Sequence, residues 1–76
     1  MELQDFLKNF KSQFEDTDTS LFTPETRFRD LEEWGSLIAL SVMAMVDEEY
    51  SVKLKGDEIR NSITIEDLYK IVKSRM

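Results

Sequence analysis

Apolar residues recur at helical spacing in the first fifteen positions. Leu3, Phe6, Leu7, Phe10 and Phe14 fall at i, i+3, i+4, i+7 and i+11, while Gln4, Lys8, Lys11 and Ser12 fall mostly opposite. This spacing predicts an amphipathic helix over residues 2–15 that packs by its apolar face. The period is then lost over residues 16–35. Thr23 and Pro24 there suit the cap and first position of a short turn. A structureless connection of that length is unusual in a small domain, so Phe28, Leu31 and one of Leu21 or Phe22 are expected to pin it to the core. A calcium loop starting at Asp16 fails, because the Gly position is Leu21 and the bidentate acid position is Arg27.

Residues 36–50 read as a second long helix, apolar more than halfway round. Leu37, Leu40, Val42, Met43, Val46 and Tyr50 can supply an inner face, leaving Ile38, Ala44 and Met45 on the outside or a flank. A bundle this small cannot bury one helix all round, so exposed apolar surface or a shallow crevice is expected along it. Val52 and Leu54 alternate with Lys53 in a short extended stretch. Residues 56–61 suggest one helical turn with Asp57 as cap and Ile59 as anchor. The last helix runs from Thr64 to about Lys73. Thr64 and Asp67 resemble a capping box, Ile63 and Leu68 a hydrophobic staple, and Ile65, Leu68, Tyr69 and Val72 an inward stripe. The 76 residues thus predict one all-α domain, residues 1–76: a small four-helix bundle with three long helices, one short helix and a long first loop.

Composition narrows the chemistry. The chain has no Cys and no His, which removes disulfides, thiolate nucleophiles, imidazole bases and the usual Cys/His zinc sites. A domain of this size hardly encloses a catalytic cleft, so it is read as a non-enzyme. No apolar run is long enough to cross a membrane, and the opening residues carry acid where a signal peptide carries Lys or Arg. A cytoplasmic monomer is the expectation. The net charge of −6 has a location: residues 30–50 hold six acids (Asp30, Glu32, Glu33, Asp47, Glu48, Glu49) and no Lys or Arg, while the other ten acids are matched by ten bases. Such a segment repels nucleic acid and anionic lipid and attracts a basic protein surface, although a charge run is more often a solvated face.

Trp34-Gly35-Ser36-Leu37 stands where the loop meets the second helix. Alone, these residues read as a helix cap: the Ser oxygen accepts from the first turn and Gly35 relaxes the entry. The functional reading needs an exposed hydroxyl at a fixed turn beside a docking surface. A loop–helix junction with acidic, Lys-free flanks meets that description. No His or Lys lies near enough in sequence to activate Ser36, so it would be another enzyme's substrate.

Several segments in order, at matching spacing, resemble the acyl carrier protein family: Phe28-x-x-Leu31, Trp34-Gly35-Ser36-Leu37, a long helix ending Asp47-Glu48-Glu49-Tyr50, Val52-x-Leu54 and Ile63-Thr64-Ile65-Glu66-Asp67-Leu68. The resemblance implies a four-helix bundle that carries acyl groups as thioesters on a phosphopantetheine arm. The arm comes from coenzyme A and is attached to Ser36 by a phosphopantetheinyl transferase. It implies further partners in acyl-loading and acyl-processing enzymes with basic docking surfaces, and leaves fatty acyl, polyketide and aminoacyl cargo open. Leu37, Asp47, Glu48 and Glu49 match the partner-facing helix, with Ile38, Ser41 and Met45 on the same face. Leu40, Ala44 and Ile59 lie where the family guides an acyl chain inward. Gly35 replaces the family's usual Asp, Ile38 a frequent polar residue and Ser41 a frequent acid, which suggests a specialised carrier with dedicated partners. The alternative is an unmodified helical interaction module using the apolar and acidic face of the second helix.

Overall fold

The structure is a computed structural model and describes residues 2–76; Met1, where the acidic opening stretch begins, lies outside them. Four helices follow in order: α1 (Leu3–Lys11), α2 (Ser36–Tyr50), α3 (Gly56–Asn61) and α4 (Ile65–Ser74). Two 3-10 turns, Thr19–Leu21 and Phe28–Asp30, lie in the connection before α2. The chain is therefore a small all-α bundle of three longer helices and one short one, as its apolar periods predict.

α1 stops at Lys11, earlier than the periodicity suggests. The Ser12 hydroxyl donates to the Asn9 carbonyl at 2.7 Å, and Gln13 Nε2 reaches the same carbonyl at 3.1 Å. Side chains thus take a carbonyl that the helix would need, and the backbone tightens into i→i−3 bonds from Gln13 and Phe14. Phe14 still reaches the core from this turn and is buried. The long connection is pinned by Phe22 and Phe28, both buried, with Leu31 packed partly against the core, while Leu21 points to solvent. At the Pro24 turn the Thr26 hydroxyl, rather than that of Thr23, accepts the cross-turn bond, from the Thr23 N–H at 2.8 Å.

α2 is turned differently from the sequence reading. Val42, Met45 and Val46 are its buried residues, with Ile38, Met43 and Tyr50 partly buried against the core. Leu37 and Leu40, assigned inward, are 75% and 61% exposed, and Met45, assigned outward, is only 7% exposed. A helix apolar all round carries no phase signal of its own, so its neighbours set the rotation. One contact that helps fix it is Tyr50, whose hydroxyl accepts from Asn9 Nδ2 at 2.8 Å while its ring meets Phe6 at 5.9 Å. Burial raises the Tyr50 pKa above the ordinary tyrosine value. Ser51 closes α2 in the left-handed region (φ 57°, ψ 34°), with its N–H on the Asp47 carbonyl at 3.0 Å.

Val52 and Leu54 are buried and Lys53 exposed, as their alternation predicts. The expected Asp57 cap of α3 is not formed: Lys55 occupies the cap position, and its N–H donates to Glu58 at 2.8 Å. Asp57 instead pairs with Arg60. The Lys55 N–H, and then Arg75, hold Glu58 below the ordinary carboxylate range. At α4 the capping box forms as read. Thr64 Oγ1 accepts from the Asp67 N–H, and the Asp67 carboxylate accepts from the Ile63 and Thr64 N–H groups, all at 3.1 Å. Two more free N–H groups of α4 reach back to the first loop, Ile65 to the Thr26 carbonyl at 3.2 Å and Glu66 to that of Pro24 at 2.9 Å. Ile63, proposed for a staple, is 51% exposed; its N–H, rather than its side chain, makes the tie to the helix start.

Phe28 is fully buried between Phe10 (5.7 Å between ring centroids) and Trp34 (4.7 Å). Phe28→Ala is expected to cost about 3–5 kcal/mol. That is a large part of the roughly 4–11 kcal/mol a chain of this length has in total. Urea denaturation should show the midpoint collapse or the variant unfold in water; a loss below about 1 kcal/mol contradicts the packing. Ser51→Gly should stabilise by about 0.5–1 kcal/mol, since glycine adopts this backbone without the Cβ penalty. A lower denaturation midpoint than wild type contradicts the backbone assignment.

Candidate functional site

The junction before α2 is fixed from two sides. On one side Trp34 lies against Phe28, Phe10 and Phe14, with ring centroids at 4.7, 6.4 and 6.4 Å. On the other, Glu33 ties the junction back to the end of the first loop's entry. Its carboxylate accepts from the Glu15 N–H at 3.0 Å, the Asp16 N–H at 3.2 Å and the Thr17 hydroxyl at 2.5 Å. These bonds, the Thr17 hydroxyl first, hold the Glu33 pKa below its usual value. One of the six acids read as a free charged flank is thus a structural clamp.

Ser36 follows directly. It was read as the helix cap, but the cap position belongs to Gly35, in extended backbone (φ −171°, ψ −174°), and Ser36 is the first helical residue. No side-chain bond caps α2, and among the described residues the Ser36 hydroxyl has no hydrogen-bond partner. It is solvent-exposed. The capping explanation therefore does not account for this serine. A Cβ on Gly35 would meet no atom within 4 Å, so neither backbone nor space requires glycine there.

Beside Ser36 lies a cleft of about 320 Å³. One wall is Ser36, Ala39 and Met43 of α2; the facing wall is Gly56, Ile59 and Arg60 of α3; Arg29, Trp34 and Gly35 complete it from the loop. Of the crevice residues read from sequence, Ile59 lines this cleft and Leu40 and Ala44 do not; both are exposed. The same rotation of α2 that turns Leu40 outward brings Ala39 and Met43 to the cleft. Ser36, Ala39 and Met43 sit at i, i+3 and i+7, a spacing that was legible once Ser36 was chosen as the origin. Arg29 and Arg60 had no such signal, since only the packing of the loop and α3 against α2 brings them to Ser36.

The residues that the resemblance places on a partner-facing helix divide into two groups. Leu37, Ile38 and Ser41 line a second groove, on the side of Glu15, Asp16 and Glu33. Ser41, Ala44, Glu48 and Glu49 lie along a third, against Asn9 and Gln13 of the α1 end, where Met45 contributes only its small exposed part. Asp47 is exposed. The ion pairs found among the described residues are Arg60–Asp57 and Arg75–Glu58, so none of Asp30, Glu32, Asp47, Glu48 and Glu49 is neutralised by a base.

No group of three or more potential metal-ligating side chains occurs among the described residues, and no helix there is long and apolar enough to cross a membrane. The fold and site define a small all-α bundle with one unpaired serine at the mouth of an apolar cleft. Comparison with protein-family models gives no match, and comparison with curated proteins gives none.

Glu33 supplies a pH test of the junction. Its carboxyl is held low in the folded state, so the clamp's stabilisation is fully present above the unfolded value, about 4.3. It is lost as pH falls through the folded value. Glu33→Gln should therefore melt below wild type at neutral pH, and the gap should narrow as pH drops below about 4. A gap independent of pH, measured by circular dichroism melts, contradicts the clamp.

Proposed function

We propose that this chain is a carrier of acyl or related groups, held as thioesters on a phosphopantetheine arm attached to Ser36. The observation that carries the reading is the Ser36 hydroxyl itself: exposed, unpaired, and set at the mouth of an apolar cleft by a doubly anchored junction. The resemblance of the segments around Phe28, Ser36, Tyr50 and Leu68 to acyl carrier proteins supplies the chemistry.

The residues present fit such an arm. An exposed primary hydroxyl accepts a phosphodiester without loss of any bond to the protein. Ala39, Met43 and Ile59 offer apolar surface to a chain leading away from Ser36. When bound, the arm supplies the thiol that this Cys-free chain lacks. In the attachment step a bond forms between Ser36 Oγ and the phosphorus on the pantetheine side of coenzyme A. The pyrophosphate P–O bond breaks, and adenosine 3′,5′-bisphosphate leaves. The side chains around Ser36 in the cleft offer two guanidiniums and no base, so the hydroxyl proton passes to a group on the transferase. The chain acts as a substrate and shuttle in this reading, with the transferase and the acyl-handling enzymes as catalysts. The unneutralised Asp47, Glu48 and Glu49, with the exposed Leu37 and Leu40, suit docking to basic surfaces with apolar pockets.

The exposure of Leu37 and Leu40 also favours the second reading, an interaction module that is never modified. The two separate on one experiment. The purified protein is incubated with coenzyme A, Mg²⁺ and a broad-specificity phosphopantetheinyl transferase, and its intact mass is measured. The carrier reading predicts the mass gain of one phosphopantetheine, absent in Ser36→Ala. No gain in wild type with that transferase or with the native one contradicts it and leaves the interaction module.

A further inference from the structure

The fold places two arginines where the sequence shows only acids. Residues 30–50 hold no base, yet Arg29 and Arg60 both line the cleft that opens at Ser36. Arg29 has no ion-pair or hydrogen-bond partner among the described residues. Arg60 is paired with Asp57 through Nη2, while a Cβ built on the cleft residue Gly56 would lie 3.6 Å from its Nη1. Nη2 of that guanidinium is thus engaged, while Nη1 lies beside the cleft residue Gly56. The rest of the lining, Ala39, Met43 and Ile59, is apolar. A site with two guanidiniums at an apolar trough selects a chain with an oxyanion at one end and little polarity beyond it. The planar, multidonor geometry of Arg suits a phosphodiester in particular.

We infer that Arg29 and Arg60 form an anion clamp for the phosphodiester on Ser36 Oγ, folding the arm back along the α2–α3 cleft when no enzyme is docked. The inference rests on the carrier reading and adds a resting position to it. The phosphate on Ser36 lies a bond away from a side chain that shares the cleft with both guanidiniums. The clamp holds the arm's start, Ala39, Met43 and Ile59 hold its length, and the thiol is shielded until a partner draws the arm out. Exposed guanidinium–phosphate contacts of this kind are weakened by salt, which makes the resting position reversible.

The test uses the modified protein, with intact mass recorded first. Arginine Nε–H resonances are compared before and after modification, and the arm's thiol is titrated with a colorimetric disulfide reagent. Wild type is set beside Arg29→Gln, Arg60→Gln and the double variant. Both side chains are exposed, and the Arg60–Asp57 pair adds little to stability, so the variants should fold; circular dichroism checks this. The clamp predicts that modification shifts the Nε–H signals of Arg29 and Arg60. It also predicts that the wild-type thiol reacts about threefold more slowly than that of the double variant, with the difference shrinking at high salt. A protein that gains the arm but shows neither effect overturns the clamp and leaves the carrier reading standing. A protein that gains no arm overturns both.

Discussion

The packing of the Trp34 indole is the contact on which the junction between the long loop and α2 depends. It closes an aromatic group that starts on α1 with Phe10, continues through Phe14 at the turn beyond it, and takes in Phe28 from the loop. Each such ring pair contributes about 0.5–1.5 kcal/mol beyond the area it buries, and the rings share neighbours, so they act as a unit. In a domain that buries only about 60% of its unfolded surface, few other contacts are available to hold the long connection between α1 and α2. Because Trp34 is two residues from Ser36, the packing that stabilises the loop also sets where α2 begins and which way its first hydroxyl faces. Glu33, clamped to the other end of the same loop, removes the remaining freedom.

Ser36 consequently stands between two unlike surfaces. The cleft on one side is apolar with Arg29 and Arg60 at its walls; the groove on the other side has Glu15, Asp16 and Glu33 beside Leu37, Ile38 and Ser41. The charge around Ser36 is therefore divided in space, with acids on one side and Arg29 and Arg60 on the other. In the proposed carrier, a basic partner approaching from the acidic side and a phosphodiester on the cationic side would not compete for the same charges. The helix between them, α2, can serve both because it has more apolar surface than the core consumes: Val42, Met45 and Val46 go inward, and Leu37 and Leu40 remain outside.

What could be read from the sequence follows from how local its cause is. α4 was legible almost to the residue, because Thr64 and Asp67 form a capping box within one turn and the stripe of Ile65, Leu68 and Val72 has a clear phase. Phe28 was legible as a loop anchor, because a large aromatic in a polar stretch is expected inside; the choice between Leu21 and Phe22 was open, and the structure buries Phe22. The rotation of α2 was not, since Leu37, Leu40, Met43 and Met45 are equally apolar and only α1 and the loop decide among them. The crevice positions that the family resemblance implied on α2, Leu40 and Ala44, are exposed, and the cleft is lined by Ala39 and Met43 instead. Arg60 of the cleft and the Glu33 clamp depend on contacts between segments far apart in sequence, which no local pattern encodes. Ser36 is exposed, as a loop–helix junction suggests, but it is not the helix cap that its four-residue setting alone implied: Gly35 takes that position and Ser36 begins the helix.

The fixed presentation of Ser36 depends on the seating of Trp34. A nuclear Overhauser spectrum of the folded protein, read at the indole protons, measures it directly. The account predicts cross-peaks from Trp34 to the rings of Phe10, Phe14 and Phe28. An indole showing none of these, with contacts only to its sequence neighbours, would mean that the loop is not pinned and that Ser36 has no fixed presentation.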